Sequence, residues 1–181
     1  MYFGLERQKR RSRLFISTFV LYNTRTKPAA KGGKLVFRQA GQYDAKTVSA
    51  LYSAVRGTEF CVWDESYPGE EEINSDLAAG CLYVLEDEGK IIGCGAIGPY
   101  WGREDESSLF TIFVLPEYQG KGIGRKIVET LEQDEYFLRA KRIEIPASIT
   151  GVPFYLKMGY HYKNGISEPD EEHLIRMEKN R

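Results

Sequence analysis

Between residues 114 and 124 the chain reads Val114-Leu115-Pro116-Glu117-Tyr118-Gln119-Gly120-Lys121-Gly122-Ile123-Gly124, with three glycines within five residues. An apolar stretch, Ser108 to Val114, precedes this run, and Ile123, Ile127, Val128 and Leu131 follow at helical spacing. The glycines therefore fall where a strand hands over to an amphipathic helix, whose first backbone N–H groups lack intrahelical partners. Glycine keeps side chains out of the way of a ligand approaching those N–H groups, and such a place binds phosphate. Lys121, Arg125 and Lys126 put three cations at the same helix end. Beside the positive pole of the helix dipole each is unfavourable by about a few tenths of a kcal/mol, a sign that a bound polyanion reverses. The alternative is a tight turn beside a solvated basic face.

Two common phosphate-binding patterns do not fit. A dinucleotide G-x-G-x-x-G needs its third glycine at position 125 or 127, where Arg125 and Ile127 stand. A P-loop needs Gly-Lys-Ser/Thr, and Lys121 is followed by Gly122. Metal chemistry has little support either. Cys61, Cys81 and Cys94 form no C-x-x-C pair, and His161 and His173 fall near none of them. Buried packing in a reducing compartment accounts for the cysteines.

The elements around the glycine run can be read from periodicity. Leu35 to Ala40 is a strand ended by Gly41, and Val48, Leu51, Tyr52 and Val55 mark a helix beginning near Asp44. Pro68 opens a second short helix that Gly80 stops. Glu70, Glu71 and Glu72 in its first turn read as a solvated helix start rather than a metal site. Cys81 to Leu85 and Lys90 to Ile97 flank Glu86-Asp87-Glu88-Gly89 as a hairpin. Ser108 to Val114, a helix of roughly 20 residues and Arg142 to Ile145 make a right-handed crossover, so those two strands are expected to be parallel. A short helix from Gly151 to Met158 and two closing strands, around His161 and Leu174 to Glu178, complete an order βααβββαβαββ.

With 181 residues, 42% hydrophobic and 28% charged, the chain suits one globular domain and excludes disorder as its main state. Its net charge of −1 hides an asymmetry. Residues 1–34 carry nine Lys/Arg against the single acid Glu6, a net of +8, and the remainder carries 16 basic and 25 acidic residues, a net of −9. An acidic domain is a poor nucleic-acid binder. Leu14 to Tyr22 is apolar for nine residues, short of the about 20 that span a bilayer. Residues 1–34 are thus expected to be a basic extension outside the fold, joined through Pro28, Gly32 and Gly33 to a domain over residues 35–181.

The segment Gln119-Gly120-Lys121-Gly122-Ile123-Gly124 resembles the Q/R-x-x-G-x-G/A signature of the GNAT superfamily of acetyl-CoA-dependent N-acetyltransferases. Phe154-Tyr155-Leu156-Lys157-Met158-Gly159-Tyr160 resembles its F-Y-x-x-x-G-F/Y segment, and the element order from Leu35 to Lys179 is similar too. The resemblance implies an α+β, three-layer fold with a central mixed, mostly antiparallel sheet and a parallel βαβ unit at the acetyl-CoA site. It implies that main-chain groups of Phe113, Val114 and Leu115 pair with the pantetheine arm like an added strand. N–H groups from Gln119, Gly120, Lys121, Gly122, Ile123 and Gly124, with Arg125 beside them, would cradle the pyrophosphate. Tyr155 would be the general acid for the departing thiolate, its bland alternative being a packed aromatic. Two departures stand out: Ser148 lies where the family often has Asn, and Ser107 and Ser108 lie where many members place an acid.

Acetyl transfer needs a neutral amine, because an ammonium has no lone pair, so a base must take a proton. Glu106, Glu144, Asp64 and Glu65 are all candidates. A backbone N–H near Val114 would stabilise the developing oxyanion, and no metal is required. The Trp63-Asp64-Glu65-Ser66-Tyr67 loop, with Tyr100 and Trp101, offers aromatic and acidic lining suited to a small cationic amine. Ordinary surface-loop chemistry explains that lining nearly as well. The resulting expectation is transfer from acetyl-CoA to a primary amine of a small molecule, in the cytoplasm, with no nucleic-acid or membrane partner. A homodimer is compatible with it. The rivals are a peptide or protein amine acceptor and a non-catalytic acyl-CoA-binding module.

Overall fold

The computed structural model describes residues 35–55 and 70–181. The stretches Arg10 to Gly33 and Trp63 to Tyr67, on which several expectations rest, lie outside the described residues. In chain order the elements are β1 (Leu35–Gln39), α1 (Ala45–Val55), α2 (Glu70–Ala78), β2 (Leu82–Asp87), β3 (Lys90–Pro99) and β4 (Glu106–Val114). Then come α3 (Ile123–Leu131), α4 (Glu135–Arg139), β5 (Arg142–Ala147), α5 (Val152–Lys157), β6 (His161–Tyr162) and β7 (Ile175–Asn180). The seven strands form one sheet in the order β1-β2-β3-β4-β5-β7-β6. Among the described strands only β4 and β5 run parallel, as the crossover requires.

That crossover differs from a single long helix. Helix α3 stops at Leu131, and Asp134 starts a new helix by accepting the Tyr136 N–H at 2.8 Å. An aspartate in that place is a good N-cap, so it favours a fresh start over continuation.

The two faces of β3 show how the helices come to lie on opposite sides. Cys94 faces α1, where Tyr52 packs edge-on against Phe113 with ring centroids 4.9 Å apart. Gly93 and Gly95, one residue to either side, face α3. A Cβ on Gly93 would lie 2.9 Å from Ile127 Cδ1, and one on Gly95 would lie 2.7 Å from Ile127 Cγ2. The absence of side chains on alternate residues thus lets α3 approach the sheet closely. Val48, Leu51, Tyr52 and Val55 of α1 and Ile123, Ile127, Val128 and Leu131 of α3 are buried, the apolar stripes legible in the sequence.

Where β4 and β5 pair, charges gather around the buried Glu144 and Glu178. Arg142 donates to Glu106, to Glu144 at 2.9 Å and to Glu178 at 3.3 Å, while Lys163 reaches Glu144 at 2.6 Å. The Tyr100 ring lies 4.9 Å from the Arg142 guanidinium. Burial alone would raise the Glu144 carboxyl, but hydrogen bonds from Lys163 and Arg142 hold it below its ordinary 4.5. A lowered carboxylate contributes stability that is complete above the unfolded value and is lost as pH falls through the folded one. Glu144→Gln is therefore expected to cost about 2 kcal/mol at pH near 7, because it leaves the partly buried Arg142 and Lys163 short of a charged partner. Urea unfolding would read that loss. The same variant should show a shallower loss of stability than the parent as the solution is acidified below 4.5.

Candidate active site

Pairing between β4 and β5 covers only Glu106↔Arg142, Ser107↔Ile143 and Ser108↔Glu144. Beyond Ser108 the two strands separate, and a cleft of about 690 Å³ opens between them. Its walls include residues 108–114 of β4, Ile145 and Pro146 of β5, the glycine turn and Tyr155. The edge of β4 that β5 no longer covers offers backbone N–H and C=O groups, the requirement for adding an extended ligand as a strand.

At the far end of β4 the turn is built by its own polar groups. The Gln119 side chain donates to Val114 O at 3.0 Å, and the Gln119 N–H donates to Pro116 O at 3.2 Å. Gln119 thus holds the turn in shape. Gly120 and Gly122 adopt φ of 71° and 80°, and a Cβ on either would meet nothing within 4 Å. Both positions need glycine for the left-handed backbone, and both face open space. The first helical bond of α3 runs from Lys126 N–H to Gly122 O at 3.0 Å. The N–H groups of Ile123, Gly124 and Arg125 consequently have no partner within the helix. Gly124 has a different surrounding: a Cβ there would sit 3.5 Å from Phe154 Cζ, so it seats α5 against the start of α3.

Phe113, Val114, Gln119, Gly120, Gly122, Ile123, Gly124 and Arg125 all contribute to the cleft wall. Leu115 and Lys121 are not among the residues of that wall. Leu115 is buried and its N–H pairs with Ile92 O at 2.9 Å, while the Lys121 ammonium lies 5.4 Å from the Tyr118 ring.

In the middle of β4 the ladder breaks. Pairing jumps from Cys94↔Phe113 to Ala96↔Phe110, and Thr111 takes φ of 47°. A β-branched residue rarely adopts that conformation, and such positions cost on the order of 1–3 kcal/mol. The Thr111 hydroxyl is buried without a hydrogen-bond partner among the described residues. Strain and an unpaired group thus coincide in the cleft wall, in the stretch of β4 that β5 no longer covers.

Tyr155 stands opposite, on α5. After β5, Ser148 accepts the Gly151 N–H at 3.1 Å and turns the chain into that helix. The Tyr155 ring packs edge-on against Phe154 and Tyr160, with centroids 5.0 and 6.1 Å away. Burial pushes the phenol well above its ordinary value of 10.0, so it keeps its proton at neutral pH.

Neither described base candidate lies in the cleft wall. Glu106 and Glu144 are both held by Arg142 in the charge cluster. Asp64 and Glu65 lie outside the described residues. The aromatic pair also divides: Trp101 is half-exposed in the cleft wall, whereas Tyr100 covers Arg142. Sequence reasoning missed Ser75 and Asp76 of α2, which line the cleft. Among the described residues no cluster of three metal-ligating side chains occurs, and no helix is long and apolar enough to cross a membrane.

Residues 78–162 match the family described as the acetyltransferase (GNAT) domain. The probable N-acetyltransferase 14 of Danio rerio is 29% identical over 101 residues, covering 52% of this chain and 35% of that protein. The fold is similar to that of N-acetylglutamate synthase from Neisseria gonorrhoeae complexed with coenzyme A and N-acetyl-glutamate, with a TM-score of 0.66 and 15% identity. That match covers 83% of this chain and 36% of the synthase. Ribosomal-protein-alanine N-acetyltransferase from Brucella melitensis gives a TM-score of 0.63 at 20% identity, covering 81% of this chain and 99% of that one. The chain thus spans about a third of the curated relative and of the synthase. The parallel pair that splays beyond Ser108 and the glycine turn before α3 both fall within residues 78–162, so from β2 to β6 the chain is similar to the GNAT acetyltransferase domain in sequence and in fold.

Proposed function

We propose that the domain over residues 35–181 transfers an acetyl group from acetyl-CoA to a primary amine of a small molecule, by direct attack within a ternary complex. One observation carries this reading: the glycine turn, the uncovered edge of β4 and Tyr155 all line a single cleft. The N–H groups at the start of α3, with Arg125, offer the pyrophosphate positive charge without intervening side chains. Phe113 and Val114 offer main-chain groups to the pantetheine arm, which fits the open edge. Attack on the thioester places negative charge on its oxygen, and a backbone N–H in the broken stretch from Thr111 to Val114 would stabilise it. Collapse breaks the carbon–sulfur bond, and Tyr155 gives the thiolate its proton. The acceptor nitrogen loses its own protons to a base or to water. Cys81 and Cys94 are buried and need no part in this chemistry, and they suit a reducing, cytoplasmic setting.

The test is release of the CoA thiol from acetyl-CoA by the purified protein, with a panel of small amines and lysine- or alanine-bearing peptides. The expected result is amine-dependent thiol release with the small amines ahead of the peptides. Binding of acetyl-CoA with no release under any amine would make the domain a binding module. Preference for the peptides would move the acceptor to a protein amine.

A further inference from the structure

We infer, on the transfer reading above, that the Thr111 side chain is a catalytic group. Its hydroxyl donates to the thioester oxygen as a second member of the oxyanion hole, beside a backbone N–H of the same stretch.

Two features of Thr111 are unfavourable on their own. Cys94 is paired with Phe113 and Ala96 with Phe110, so Thr111 and Ile112 together stand opposite the single residue Gly95. That arrangement is a β-bulge, and where its first residue is left-handed, that residue is ordinarily glycine. Here a β-branched residue takes φ of 47° instead. Thr111 is also only 6% exposed, and its hydroxyl has no hydrogen-bond partner among the described residues. A glycine would remove both costs at once. Strain and an orphaned donor on one residue of a cleft wall are accounted for if the side chain meets a ligand there.

The backbone of the bulge is tied down, whereas the side chain is not. Cys94 Sγ donates to Thr111 O at 3.4 Å, and burial raises that thiol, so it keeps the proton it donates. The Thr111 hydroxyl has no such tie. A turn about the Cα–Cβ bond brings it to an arriving oxygen without breaking a hydrogen bond.

The order of groups along acetyl-CoA says which oxygen arrives. With the pyrophosphate at the turn from Gln119 to Gly124 and the pantetheine arm beside Val114 and Phe113, the thioester lies further back along β4. Thr111 is the next buried position in that direction, and Tyr155 lines the same cleft. When the amine nitrogen attacks, the C–N bond forms and the carbonyl π pair moves onto oxygen. The pair returns as the C–S bond breaks, the sulfur takes the Tyr155 proton, and the nitrogen gives up its own to a base or to water. A hydroxyl bonds an oxyanion more strongly than a neutral thioester. The gain therefore falls on the transition state and on kcat.

The test is a set of three variants. Thr111→Val keeps the branched shape and loses the hydroxyl. In urea it should be at least as stable as the parent, because a buried group without a partner has gone. Its kcat should fall by about 10²-fold, with acetyl-CoA affinity by calorimetry little changed. Thr111→Ser keeps a hydroxyl, and its kcat should stand above that of the Val variant by about tenfold. Thr111→Gly relieves the backbone without a hydroxyl and should lose kcat as the Val variant does, which separates the hydroxyl from the strain. Infrared difference spectra of acetyl-CoA labelled with carbon-13 at its carbonyl, bound with no amine present, need no acceptor. The C=O band should lie higher in the Val variant than in the parent. If the Val variant does not fold, the Gly variant takes its place in both measurements. A kcat within about twofold of the parent, or a band in the same position in both proteins, overturns the inference. So does a Ser variant as slow as the Val variant. A band that moves while every amine and peptide fails keeps the Thr111 contact and overturns the transfer reading alone. Failure of acetyl-CoA to bind overturns both.

Discussion

Replacing Gly122 with Asp is expected to abolish acetyl-CoA binding while the domain remains folded. Gly122 sits at φ of 80°, and a Cβ added there meets nothing within 4 Å, so the new side chain projects into open space without striking the protein. The left-handed backbone costs a non-glycine residue on the order of 1 kcal/mol, and Asp and Asn tolerate it better than most. Melting temperature should therefore fall modestly. The carboxylate would stand at the N-terminus of α3, in the space assigned to the pyrophosphate. Repulsion and bulk act together there, and a loss of at least about 100-fold in affinity is expected, equivalent to about 2.7 kcal/mol. Gly122→Asn separates the two effects, since it adds nearly the same bulk without the charge and should bind more tightly than the Asp variant. Calorimetric titration with acetyl-CoA reads both. Unchanged affinity in Gly122→Asp would remove the pyrophosphate from this turn.

The parts of this site that a linear reading found are those fixed by local physics. Glycines 120 and 122 are needed for backbone conformations that other residues avoid, so their spacing survives in the sequence as a visible pattern. The burial of Ile123, Ile127, Val128 and Leu131 follows from a helical period. The parallel pair followed from handedness alone. What escaped depends on pairing across the sheet. Nothing in Ser108 to Val114 marks Thr111 as the break in β4, because the break exists only relative to the register of β3. Glu106 and Glu144 looked like available bases because Arg142 reaches both, and Lys163 reaches Glu144, only after β4, β5 and β7 assemble. Asp76 was hidden for the opposite reason. It reads as one more acid on an acidic helix, and packing of α2 beside the end of β3 brings it to the cleft. The helix break at Asp134 was legible in principle, since an N-cap aspartate followed by Glu135 is a local signal.

Tyr155→Phe is expected to lower turnover by about 10²–10⁴-fold, the usual worth of a general acid, with acetyl-CoA affinity little changed. The substitution keeps the ring, so the edge-on contacts with Phe154 and Tyr160 survive and packing is not the variable. Only the hydroxyl is removed. The thiolate of CoA leaves carrying charge into a cleft with largely apolar walls, where an adjacent proton donor matters more than in water. Tyr155 suits that task because burial raises its phenol, so the proton is present throughout the neutral range. The sign of the pH effect follows. A group raised above 10.0 cannot cause a loss of activity below that pH, so the parent should hold its turnover to about pH 10 once acceptor ionisation is accounted for. An alkaline loss at lower pH in the parent that persists in the Phe variant belongs to another group. The decisive measurement is turnover of the purified Phe variant with its best acceptor at saturating acetyl-CoA. A value within about twofold of the parent, about 0.4 kcal/mol of barrier, would make Tyr155 a packing residue and leave water to protonate the thiolate.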